Sequence, residues 1–134
     1  MRIETYFQQL RQTIDVCAVV QSFNVTYDKR GTYEGLIRGE IYFVDGSVLH
    51  LREFVDVEIV IDRLMYVYHY VDFSKKLVFR YDNTGHHKKL NLSTYPHHKH
   101  QGGENNVIAS SAPDPWTGGL ALVLNEIEAL LPLR

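Results

Sequence analysis

Five of the seven histidines of this chain fall between Arg80 and Gly103, in the run RYDNTGHHKKLNLSTYPHHKHQGG. Lys88, Lys89, Lys99, Arg80, Asp82 and the step Tyr95-Pro96 share the segment. A packed core seldom accepts such a composition, because each imidazole must find a hydrogen-bond partner or stay wet. Histidine also titrates nearest neutrality, so a cluster of imidazoles can take up protons, release them or bind metal.

Three readings of the cluster compete. In the first it binds or cleaves RNA. Cleavage through the ribose 2′-hydroxyl requires a base, an acid for the leaving oxygen and positive charge against the phosphate, with no obligatory metal. His86, His97, His98 and His100 are the candidates for proton transfer. Arg80, Lys88 and Lys99 would supply charge, Tyr95 a stacking surface, and Asp82 a carboxylate to orient an imidazole. In the second, a divalent transition metal such as zinc is held by His86, His87, His98 and His100, and the protein is a metal-dependent hydrolase. No His-Glu-x-x-His spacing makes that specific. In the third, the histidines are solvated bystanders of a surface loop; a non-enzymatic alternative to both enzymes makes the chain an interaction module whose exposed loop docks a partner. For a single histidine the bland reading wins; five within fifteen residues, flanked by lysines, favour function.

The elements that must position this segment follow from periodicity. Ile3, Tyr6, Phe7, Leu10, Ile14 and Cys17 recur at helical spacing, which predicts an amphipathic N-terminal helix whose stripe belongs to the core. Strand patterns follow over Val19–Tyr27, Tyr33–Val44, Ser47–Ile61, Leu64–Phe73 and Leu77–Tyr81, with Val107-Ile108-Ala109 as a final edge strand. Asp114-Pro115 has the order of a cap and first helical residue, but Gly118 and Gly119 move the expected helix start toward Gly119. Trp116 is expected to anchor that helix. Leu120, Val123, Leu124, Ile127, Leu130 and Leu131 form its stripe, and Pro132 ends it. The fold class predicted is α+β: one domain over residues 1–134, built as an antiparallel meander of five or six strands with both helices on one face. The His-rich loop is placed at residues 83–105.

Asp45-Gly46 reads as a two-residue hairpin turn. With that turn, Arg38 faces Glu53 across the hairpin, and both extend the site as substrate-binding residues, an ion pair on a solvated face being the plainer alternative. His50, Arg52 and His69 are read as lesser candidates, His69 as a satisfied core histidine.

Composition sets outer limits. At 134 residues with 45% hydrophobic and 22% charged residues, the chain has the make-up of an ordinary globular domain. A formal charge of −2 gives no global basic field, so any nucleic-acid binding must be local. Cys17, the single cysteine, rules out an intramolecular disulfide and a cysteine-rich zinc site. A reduced, cytoplasmic protein without membrane segment is expected, and homo-oligomerisation is left open.

The runs IRGEIYFVDGSVLHLREFVDVE, YVYHYVD and FRYDNTGHHKKLNLSTYPHHKHQG resemble the TumE-like proteins, toxin components of prokaryotic toxin–antitoxin modules. The resemblance spans most of the chain from about Tyr33. It implies a cognate antitoxin partner and growth-inhibiting activity inside the cell. Since many toxins of such modules act on RNA, it also strengthens the metal-independent ribonuclease reading by analogy.

Overall fold

The apolar stripe near the N-terminus becomes a helix, as its spacing predicts. A computed structural model of the chain describes residues 1–83, 98–102, 107–109 and 118–131. In it, α1 (Ile3–Asp15) buries Ile3, Tyr6, Phe7, Leu10 and Ile14. Seven strands follow: β1 (Val20–Lys29), β2 (Glu34–Phe43), β3 (Val48–Asp56), β4 (Asp62–Val71), β5 (Leu77–Asp82), β6 (His98–Gln101) and β7 (Val107–Ala109). They pair antiparallel in chain order as one sheet. The chain then ends its described part in α2 (Leu120–Leu130), whose first helical residue follows Gly119. The expected α+β meander is therefore present, with β6 added from within the His-rich segment. Asp114, Pro115 and Trp116 lie outside the described residues.

Both helices cover the same face. Ile37, Ile41, Phe43, Leu49, Leu51, Val55, Tyr66, Tyr68, Tyr70, Phe79 and Tyr81 join the buried residues of α1 and of α2 in one core. The helix approaches β2 so closely at Gly35 that an added Cβ there would stand 2.5 Å from the Phe7 ring. The helix-free face, called the outer face below, carries the alternate residues of every strand.

The β2–β3 hairpin corrects the sequence reading by one residue. Gly46 N–H donates to the Phe43 carbonyl at 3.0 Å, Phe43 N–H donates to the Ser47 carbonyl at 3.0 Å, and Gly46 sits at φ +87°. That is a three-residue loop closed by a glycine in the left-handed region, not a two-residue turn. Arg38 therefore lies opposite Arg52, Glu40 opposite His50, and Glu53 opposite Ile37. Burial selects this register, because it alone gathers Ile37, Ile41, Phe43, Leu49, Leu51 and Val55 on one side.

A bulge reshapes the start of β4. Phe54 pairs with Met65 and Val55 with Arg63, leaving Leu64 as the extra residue. Leu64 is turned out to solvent and Arg63 into the interior.

Candidate functional site

Pairing of β5 with β6 concentrates the chemistry-bearing residues. Arg80 lies opposite His100 and Asp82 opposite His98. Phe79 and Tyr81 point into the core, so Arg80 and Asp82 belong to the outer face. Arg80 Nε donates to Asp82 Oδ2 at 2.9 Å, and His100 Nε2 stands 3.7 Å from the same oxygen. The side chains of Asp82 and His100 are almost wholly buried, and that of Arg80 remains 30% exposed. A buried carboxylate shared by a guanidinium and an imidazole can fix the orientation of the ring. The arrangement sets an imidazole, His100, beside the positive charge of Arg80.

The outer face continues this chemistry across the sheet. One cross-strand row runs Asn24, Glu40, His50, His69, Arg80, His100; the next runs Thr26, Arg38, Arg52, Val67, Asp82, His98. The rings of His50 and His69 lie 6.0 Å apart, centre to centre. His69 is thus a half-buried residue of the outer face rather than the core histidine expected. Its direction, opposite to Tyr68 and Tyr70, was legible, but its pairing with His50 is set by the β3–β4 register.

Two sequence candidates move to the other face. Lys99 lies over the Phe79 and Tyr81 rings, 5.3 and 4.6 Å from their centres, and its Nζ donates to Glu126 Oε2 of α2 at 3.0 Å. Tyr81 donates to the other oxygen of Glu126 at 2.6 Å. Strand alternation puts Lys99 and Arg80 on opposite sides of the sheet, so Lys99 fastens β6 to α2 instead of joining Arg80.

Glu53 is the second. It is fully buried beneath the helices, where it accepts hydrogen bonds from Tyr6 at 2.5 Å and from Tyr68, and stands 3.9 Å from Arg63 Nε. It cannot face Arg38. Burial pushes the phenols of Tyr6 and Tyr68 well above their ordinary range, and the negative charge of Glu53 adds to the shift. The Cys17 thiol, 3.9 Å from Glu128, is also pushed up by burial, which suits a small core residue and not a nucleophile.

His86, His87, Lys88, Tyr95 and His97 lie outside the described residues. His98 is described through its backbone pairing. Among the described residues no three histidine, cysteine or acidic side chains converge as a metal-binding set. The metal set proposed from sequence draws on His86 and His87, beyond those residues.

An antiparallel meander with two helices on one face and an Arg–Asp–His cluster on the other defines a small α+β protein with a polar sheet-borne site. Residues 7–131 match the family model described as Toxin TumE, and the chain belongs to that family. It is accordingly a toxin component of a toxin–antitoxin module, and its implied partner is an antitoxin. No curated protein and no solved structure matches it. No helix among the described residues is long and apolar enough to cross a membrane.

Proposed function

We propose that this toxin is a metal-independent ribonuclease of the cytoplasm, neutralised by its antitoxin, with its reaction centre at the outer end of β5 and β6. The observation that carries the reading is the convergence of Arg80 and His100 on one carboxylate oxygen of Asp82. In the reaction, the ribose 2′-oxygen attacks the adjacent phosphorus and the bond to the 5′-oxygen breaks, leaving a 2′,3′-cyclic phosphate. One imidazole takes the 2′-hydroxyl proton and a second gives a proton to the departing 5′-oxygen. His100 is one of this pair, oriented by Asp82; its partner comes from His86, His97 and His98. Arg80 stabilises charge gathering on the phosphate.

The test is induced expression of the wild-type chain, of His100→Ala and of a His97→Ala/His98→Ala variant, following growth and total RNA integrity together. Growth arrest with RNA cleavage, both lost in folded variants, supports the reading. Cleavage by the purified chain should survive chelation; loss on chelation transfers the site to the metal-dependent alternative. Arrest with intact RNA overturns the ribonuclease reading in favour of an interaction-based toxin.

A further inference from the structure

Arg38 and Arg52 are direct cross-strand partners on the outer face, and both are exposed. Like charges placed opposite one another destabilise a sheet. Among the described residues neither guanidinium has a carboxylate within ion-pairing distance, although Glu40 is the next outward residue of β2. The pair instead borders a shallow hollow of about 360 Å³, lined also by Asn24, Thr26, Glu40 and His50. From His50 the polar row leads through His69 to Arg80.

We infer that Arg38 and Arg52 form a phosphate-binding subsite that seats single-stranded RNA on the outer face, away from the reacting bond; the inference rests on the ribonuclease reading. Two guanidinium forks with no carboxylate partner among the described residues match the charge and bidentate geometry of a phosphodiester. An arriving phosphate also removes the repulsion between them. The polar lining argues for nucleic acid over an apolar protein helix: Glu40 can accept from ribose hydroxyls or base amino groups, and Asn24 can donate or accept. Arg52 and Asp82 are two strands apart, about 10 Å at ordinary sheet spacing. One extended RNA strand can therefore cross β2 to β5 with different phosphates at the two ends.

The test uses the full chain and a short 2′-O-methyl RNA, which binds but has no free 2′-hydroxyl to react. Affinity is measured as a function of salt for the wild type, for Arg38→Gln/Arg52→Gln, for each single variant, and for Arg30→Gln as a control whose charge lies in an exposed pair with Asp28. The double variant should bind at least about tenfold more weakly at low salt, and its salt slope should fall by about 0.7, the value for one lost phosphate contact on a single strand. Each single variant should give about half that change in slope, and Arg30→Gln much less. A wild-type chain that cleaves RNA, with a double variant of unchanged affinity and slope, overturns the subsite and leaves the ribonuclease reading standing. Unchanged RNA binding with weakened antitoxin binding also overturns it and assigns the hollow to the antitoxin. A wild type that neither binds nor cleaves RNA removes both proposals.

Discussion

Tyr6, on the first helix, donates its hydroxyl to the carboxylate of Glu53, in the middle of the sheet, at 2.5 Å. Tyr68 supplies a second donor to Glu53, and Arg63 stands 3.9 Å away. Arg63 in turn packs across Gly119 at the start of α2, where an added Cβ would lie 2.2 Å from the guanidinium. A cation beside the positive end of a helix is unfavourable by itself, and Glu53 provides the compensating charge. One buried carboxylate thereby ties both helices to the sheet.

Removing either side of this arrangement should be expensive in stability. Glu53→Ala leaves Arg63 buried without its carboxylate and is expected to cost about 3–5 kcal/mol. Tyr6→Phe withdraws one donor from a desolvated acceptor and should cost about 1–3 kcal/mol. Urea unfolding of the purified variants measures both. A Glu53→Ala protein as stable as the parent would mean that the cluster contributes nothing net.

The buried phenols predict a steep alkaline limit. Burial raises Tyr6, Tyr66, Tyr68 and Tyr81, with Glu53, Asp82 or Glu126 adding to the shift. In the unfolded chain these groups ionise near pH 10, so above that value the folded state holds more protons and stability falls as pH rises. Each retained proton contributes about 1.4 kcal/mol per pH unit. The urea midpoint should not respond to these phenols below about pH 9 and should drop sharply above about pH 10. The tyrosinate absorbance of these four should rise together with unfolding; independent titration in the folded protein would contradict their burial.

Gly119 has two reasons to remain glycine, its φ of +77° and the Arg63 guanidinium packed on it. Gly119→Ala is expected to lower stability by about 1–3 kcal/mol. Hydrogen exchange should locate the damage in the first turn of α2. An equally stable alanine variant with unchanged exchange would show that Arg63 can leave at no cost.

Lys99 belongs to the architecture, where it fastens β6 to α2. Its side chain is largely enclosed, with the ammonium against Glu126 and the Phe79 and Tyr81 rings. Lys99→Ala should reduce stability by about 1–2 kcal/mol, and Glu126→Gln should weaken the same link. A double-mutant cycle measures the coupling, and additive losses would show that the two side chains do not cooperate.

Tension between the outer-face arginines should be measurable as well. Arg52→Gln relieves the opposition to Arg38, so the melting temperature should rise slightly and more at low ionic strength than at high. A fall at low salt would indicate that the arginine is stabilising where it stands.

The sequence by itself determined the two helices and the antiparallel order of the strands. Both depend on information short in range: the apolar stripe of Ile3 to Ile14 and brief turns between strands. It even contained the β2–β3 register, since Ile37, Ile41, Leu49 and Leu51 share a face only when the loop has three residues. Asp45-Gly46 serves either kind of turn, so local chemistry alone pointed to the wrong one. Which face each functional candidate occupies was decided by tertiary structure. One residue of register took Glu53 from a presumed surface partner of Arg38 to a buried acceptor for Tyr6 and Tyr68. The pairing of β6 with β5, and the position of Glu126 on α2, separated Lys99 from His100. Side chains alternate along a strand, so neighbours in sequence point apart, and only long-range pairing decides what each of them meets.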